Sequence, residues 1–197
     1  MTYLYLVRHG QTDWNIEDRW QGQIDVPLNA HGRQQAEQVA AELAGEDISA
    51  IYTSDLQRAS QTAAALSRLT GLPVTCDRRL REINQGAWQG LLSWEVEARY
   101  ANLLHQQGGS PLAIAAPGGE TVLQVRQRLL AAVAEIVTRH PAQRVALVSH
   151  GFALAVLYVH HMGYPLESVW DHIPQNDQWR VLEVPDFGPR MSRKGAK

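Results

Sequence analysis

Six side chains in this sequence are of types that can together move a phosphoryl group: Arg8, His9, Asn15, Arg58, Glu82 and His150. Two guanidiniums and a protonatable imidazole match the charge and oxygen geometry of phosphate. A second imidazole is then free to act as nucleophile, and one carboxyl as proton donor. In that scheme a neutral His9 attacks phosphorus, the cations stabilise the equatorial oxygens, and Glu82 protonates the leaving alkoxide. Deprotonated Glu82 then activates water against the phosphohistidine. The set is sufficient without a metal or other cofactor, and none is expected.

The two histidines share a local pattern. Tyr3-Leu4-Tyr5-Leu6-Val7-Arg8-His9-Gly10 and Arg144-Val145-Ala146-Leu147-Val148-Ser149-His150-Gly151 are apolar runs that each end in His-Gly. Such runs read as buried strands that hand their last residues to a loop. In open α/β sheets ligands bind in the crevice beyond the strand carboxyl ends. If the two strands are neighbours, their histidines converge there. Gly10 lets the backbone turn sharply and a ligand approach. Arg58 falls in the first turn of a predicted helix, where the macrodipole favours anions; the mismatch points to a ligand.

Other chemistries lack their residues. There is no Gly-x-x-x-x-Gly-Lys-Ser/Thr, no Gly-x-Gly-x-x-Gly after a strand, no Gly-x-Ser-x-Gly and no His-Glu-x-x-His. Ser149 directly precedes His150, the wrong relation for a Ser-His pair. His160 and His161 are adjacent on a helix and face different directions, as a half-buried pair rather than ligands. His31, His105, His140 and His172 read as surface or turn residues. The single cysteine, Cys76, rules out an internal disulfide and a multi-cysteine zinc site; it reads as a small buried residue in a reducing compartment. A net charge of −2, with both signs spread along the chain, argues against nucleic-acid and membrane-surface partners. No apolar run reaches the roughly 20 residues a bilayer requires, and no signal peptide is apparent. A cytoplasmic protein is expected.

At 197 residues, 45% of them hydrophobic, the chain is most simply one domain, residues 1–190, with a basic flexible tail over 191–197. Helices are predicted from Ala30 to about Leu43 with Asn29 as N-cap, from about Leu56 to Leu69 capped by Ser54 or Asp55, from Glu120 to Arg139, and from Phe152 to Met162. Short strands are predicted over Ile48–Thr53, at the edge over Pro73–Cys76, and over Trp179–Val184, the last possibly antiparallel. Ile16–Asn29 reads as a polar, aromatic loop. Residues 84–118 differ from the rest: with Trp88, Trp94, Tyr100, His105, a helix near Trp94–Leu104, Gly108-Gly109 and Pro117-Gly118-Gly119, they read as an inserted cap over the crevice. Strands alternating with helices imply a three-layer α/β/α sandwich on a mostly parallel sheet.

Leu6-Val7-Arg8-His9-Gly10-Gln11-Thr12-x-Trp14-Asn15 resembles the signature of the histidine phosphatase superfamily, also called phosphoglycerate mutase-like. The resemblance continues through Gln21-Gly22, Pro27-Leu28-x-x-x-Gly32-x-x-Gln35-Ala36, and Ser54-x-Leu56-x-Arg58-Ala59-x-x-Thr62-Ala63. It extends to Leu80-Arg81-Glu82-Ile83-x-x-Gly86-x-Trp88-x-Gly90, Gly118-Gly119-Glu120 and Val148-Ser149-His150-Gly151. It implies His9 as the phosphorylated nucleophile, Arg8, Arg58 and His150 as the phosphate pocket, and Glu82 as proton donor. Asn15 is implied as a further phosphate contact, Gln21 and Gly22 lie near substrate in such enzymes, and the backbone at Gly151 is a further contributor. Asn84-Gln85 departs from the family pattern, where an acidic and an aromatic or aliphatic residue are common, and so bears on the pocket rim.

Three functions are compatible with this resemblance. A phosphomonoesterase acting on small phosphate esters is favoured over a cofactor-dependent phosphoglycerate mutase, because the segment between Glu82 and His150 is modest and the chain ends soon after its last strand. A phospholigand-binding or interaction domain without activity would be expected to lack His9 or Glu82, and both are present. Trp14, Trp20, Trp88 and Trp94 either face substrate or pack the cap against the body. The expected partners are small-molecule esters, with a homodimer left open.

Overall fold

Side-chain alternation along two adjacent strands divides the core of this protein into two. The computed structural model describes residues 1–106, 112 and 115–185, without the side chains of 104–106. The expected roles of His105, Gly108-Gly109 and the 191–197 tail therefore lie outside the described residues.

Strands β1 (Thr2–Arg8), β2 (Ala50–Thr53), β3 (Val74–Cys76), β4 (Arg144–Ser149) and β5 (Trp179–Val184) form one sheet in the order β3-β2-β4-β1-β5. All neighbours are parallel except β5, which runs antiparallel to β1. Because successive strand residues point to opposite faces, Leu4, Leu6, Val145 and Leu147 enter one core, and Tyr5, Val7, Ala146 and Val148 the other. The first core is closed by α5 (Val122–Arg139) and α6 (Gly151–Met162), the second by α2 (Ala30–Leu43) and α3 (Gln57–Thr70). This is the expected three-layer sandwich. Val145, Ala146 and Leu147 are fully buried, as a strand covered on both faces requires.

Helix boundaries follow local capping. Asn29 Oδ1 accepts from the Gly32 N–H at 2.8 Å at the head of α2. Thr121 and Gln124 form a reciprocal capping box on α5, so that helix starts at Val122 rather than Glu120. A second box, between Thr12 and Asn15, closes the four-residue helix α1 (Asp13–Ile16) where a loop was expected.

Three expectations are corrected. Neither Ser54 nor Asp55 caps α3: Leu56 holds the cap position, and the Gln57 N–H donates instead to Asp25 Oδ1 at 2.7 Å. Asp55 is committed elsewhere, to the Arg81 guanidinium at 2.6 Å. Cys76 is exposed, not buried, because β3 is a three-residue edge strand with little to cover it. His160, too, is exposed rather than half-buried.

Within residues 84–118, α4 (Ser93–Gln106) and a 3-10 turn at Gly86–Trp88 build a small separate cluster of Trp88, Val96 and Ala116, with Trp20, Tyr100 and Leu103 against it. Trp20 and Trp88 meet edge to face, with centroids 5.4 Å apart. These two tryptophans pack the segment, whereas Trp94 is exposed. No helix among the described residues is long and apolar enough to cross a membrane.

Candidate active site

The parallel register pairs Val7 with Val148 and Arg8 with Ser149, so the residues that follow, His9 and His150, emerge side by side beyond the sheet. Their ring centroids lie 5.1 Å apart at 62°, and both are buried. Burial, then the Arg58 charge, holds each imidazole well below its usual range; Arg8 adds to the effect on both. Both are therefore neutral at pH 7, and each must carry its one proton on a nitrogen fixed by its partner.

Those partners differ. His9 Nδ1 lies 2.7 Å from the Gly10 carbonyl, which can only accept. The proton of His9 is thus on Nδ1, and Nε2 keeps a lone pair. At His150 the arrangement is inverted: Nδ1 accepts from Arg58 Nε at 3.2 Å. His150 therefore carries its proton on Nε2, which is buried and has no partner among the described residues. One imidazole presents a nucleophile and the other a hydrogen-bond donor.

Arg58 is 1% exposed on the first turn of α3. Its Nη2 donates to the Gly22 carbonyl at 2.7 Å and its Nη1 to the Ile24 carbonyl at 2.8 Å. Burial brings it down to about 10, against the opposing pull of Glu82 and Asp25, so it stays charged at neutral pH without an ion-pair partner among the described residues. Arg8 donates through Nη1 to the Pro174 carbonyl, while its Nε is buried and has no partner among the described residues. Burial lowers Arg8 as well, and Glu82 raises it. A buried guanidinium on Arg58 and a half-buried one on Arg8, with donors to spare, are costly unless an anion meets them.

Glu82 faces them. Its carboxylate accepts from the Phe152 and Ala153 N–H groups at 3.1 and 3.0 Å, at the head of α6, and from Ile83 N–H at 2.9 Å. Arg8, His9, Asn15, Gln21, Gly22, Arg58, Glu82 and Gly151 all line one crevice of about 300 Å³; His150, fully buried, is not among the lining residues and is held beside His9 and Arg58, which are. Asn15 Oδ1 is occupied by the Thr12 N–H at 3.0 Å, which aims its amide N–H₂ elsewhere. Gly22 adopts φ +51° and turns its carbonyl to Arg58. At Gly151 a Cβ would meet Arg8 Cζ at 3.1 Å and Ile173 Cγ2 at 3.0 Å, so the guanidinium lies directly on the helix start. Among the described residues no group of three or more His, Cys, Asp or Glu side chains is arranged to hold a metal ion.

Four contributors have no role assigned from the sequence, although Thr62 falls within a quoted motif. Asn176 donates to the His9 carbonyl at 3.0 Å. Thr62 Oγ accepts from Gly10 N–H at 3.1 Å and donates to the Arg58 carbonyl at 2.8 Å. Gln23 and Arg128 donate to the Glu82 carbonyl at 3.0 and 2.9 Å. Thr62 sits one helical turn after Arg58, a spacing that could have revealed it; the others act across long sequence separations. Gly10 and Gly32 also bring two backbones together, since a Cβ on Gly10 would collide with the Gly32 carbonyl.

Comparison with known proteins identifies the family. The chain is 32% identical to phosphoserine phosphatase 1 of Hydrogenobacter thermophilus over 184 residues, covering 93% of this chain and 87% of that protein. It is 40% identical to a probable phosphoglycerate mutase GpmB of Klebsiella pneumoniae over 169 residues, 84% of this chain and 77% of the other. Among solved structures, a mycobacterial glucosyl-3-phosphoglycerate phosphatase in complex with VO3 superposes with a TM-score of 0.83 at 35% identity, covering 92% and 90% of the two chains. The family model described as histidine phosphatase superfamily (branch 1) matches residues 4–197, and this chain is an enzyme of that superfamily.

Proposed function

We propose that the chain is a phosphomonoesterase that hydrolyses small phosphate esters through a phosphohistidine on His9, without a metal. The observation that carries this reading is the opposite hydrogen bonding of the two imidazoles, a carbonyl against His9 Nδ1 and a guanidinium N–H against His150 Nδ1. The Nδ1–H of His9 is tied to Gly10, which leaves Nε2 with a free lone pair in a crevice that Arg8 and Arg58 also line.

In the first half-reaction Nε2 forms a bond to phosphorus and the ester P–O bond breaks. Arg8, Arg58 and the Nε2–H of His150 stabilise the equatorial oxygens. Glu82, protonated, gives its proton to the leaving oxygen. In the second half Glu82, now a carboxylate, takes a proton from water as the water oxygen bonds to phosphorus. The N–P bond breaks, and inorganic phosphate leaves with His9 regenerated. A crevice of about 300 Å³ is at the small end of ligand sites, which supports compact esters as substrates. Phosphatases of phosphoserine and glucosyl-3-phosphoglycerate among the similar proteins support the same class.

Phosphoglycerate mutase activity is the second reading, favoured by the similarity to the GpmB proteins. The test is phosphate release in EDTA from a panel of phosphomonoesters, beside 3-phosphoglycerate with catalytic 2,3-bisphosphoglycerate. Phosphate from several esters with little 2-phosphoglycerate is expected. Rapid 2-phosphoglycerate formation with little free phosphate would establish a mutase, and loss of hydrolysis on chelation would overturn the metal-free mechanism.

A further inference from the structure

Outside the residues that face the crevice, one side chain has all of its hydrogen-bonding capacity directed at the proton donor's surroundings. We propose that Arg128 is a positioning residue for Glu82, acting on the backbone that carries it; the proposal rests on the reading of Glu82 given above.

A guanidinium has five N–H donors in one plane, and each of those on Arg128 is in use. Nε donates to Glu120 Oε1 at 2.7 Å, and Nη2 to Glu120 Oε2 and the Glu82 carbonyl, both at 2.9 Å. Nη1 takes the Arg79 and Arg81 carbonyls at 2.8 and 2.6 Å. One rigid group on α5 thus fixes three carbonyls in the stretch that ends at Glu82. Glu120 completes the bracket from the far side, because its Oε2 accepts from Asn84 N–H at 2.8 Å. The Arg128–Glu120 pair is mostly buried, with side-chain exposures of 17% and 21%.

The Glu82 carboxylate reaches forward from this bracketed segment to the first N–H groups of α6. Its position is therefore set by two supports, Arg128 behind and α6 in front. The rear support makes no contact with the crevice, so its loss acts by displacing the donor. Proton transfer requires heavy atoms within hydrogen-bond reach, and small displacements of reacting groups are expensive in rate.

Arg128→Lys separates placement from charge. Lysine keeps the positive charge but offers three donors on a flexible stem, which cannot hold three carbonyls and a carboxylate in one plane. The readout is kcat/KM for an alkyl phosphate, whose leaving group needs a proton, against p-nitrophenyl phosphate, whose leaving group does not. Arg128→Lys should lower the alkyl ester about 10-fold and the nitrophenyl ester less than about 3-fold. In a Glu82→Gln background the same substitution should no longer discriminate between the two esters, since the group it positions is gone. Equal losses on both esters, or undiminished discrimination in the double variant, would overturn the proposal. If circular dichroism shows that Arg128→Lys is unfolded, Glu120→Gln takes its place, because it loosens the guanidinium's anchor and leaves the carbonyl bonds. It should show the same selectivity at smaller size, and equal losses would again be decisive. Glu82→Gln alone tests the underlying reading separately: if it slows both esters equally, Glu82 is not the proton donor and the proposal falls with it.

Discussion

Strands β1 and β4 end in the same two residues, lie side by side in parallel register and bury their histidines to a similar degree, yet the two ends do opposite things. At the end of β1 the imidazole donates its N–H to the backbone carbonyl one residue on, and a lone pair is left over. At the end of β4 the imidazole spends its lone pair on Arg58 and a proton is left over. The difference lies in one partner each, a carbonyl against a guanidinium. A buried imidazole has no function of its own until something else fixes which nitrogen holds the hydrogen.

The largest effect that would break or sharpen this contrast is at the β1 end. His9→Ala should lower phosphate release by at least about 10⁴-fold, as loss of a nucleophile does, and abolish acid-labile phosphate on the protein. Substantial residual turnover, or phosphate found on His150, would mean that the two ends are interchangeable. His150→Ala should cost less, about 10²- to 10³-fold in kcat, the scale of one lost transition-state donor, and should still accumulate phosphohistidine at residue 9. An equal loss at both positions would remove the distinction between nucleophile and donor.

pH comes next in size. Both imidazoles have pKa values depressed in the folded protein, so the unfolded chain binds protons that the folded one refuses. Stability is then fully present above the unfolded value of about 6.5 and declines as pH falls below it. The slope is up to about 1.4 kcal/mol per pH unit for each histidine until the folded values are reached. Thermal melts between pH 7.5 and 5 should show the decline, and His9→Ala should make it shallower. A wild-type Tm that is flat over that range would place the protons differently. The smallest effect belongs to the support that only the β1 end possesses. Thr62→Val leaves Gly10 N–H without its acceptor and should cost about 1–3 kcal/mol of stability in chemical denaturation. A neutral substitution there would show that the first strand end holds itself in place.

Much of this was legible in the sequence because it is local. Apolar alternation into His-Gly marks both strands and, through parallel pairing, brings the histidines together. Arg58 betrayed itself by sitting as a cation where a helix prefers an anion. What could not be read is carried by contacts between distant parts of the chain. The Arg58–His150 bond that sets a tautomer spans 92 residues, and Asn176 reaches the His9 carbonyl across 167. Arg128 works through main-chain oxygens, which leave no trace in residue type. The same cause explains the misread cap of α3, supplied by Asp25 from another loop. Cys76 failed for a different reason: burial depends on what covers a strand, and an edge of three residues has little cover.

The contact between Gly10 and Gly32 has a mechanical consequence. With no side chain between the two backbones, there is no soft layer between the end of β1 and α2 that could yield under load. If phosphorus closes on His9 as proposed, the push passes straight from the end of β1 into the first turn of α2, itself a well-packed helix. Under the proposed mechanism the imidazole would then serve as an anvil, and the phosphoryl group would do the travelling.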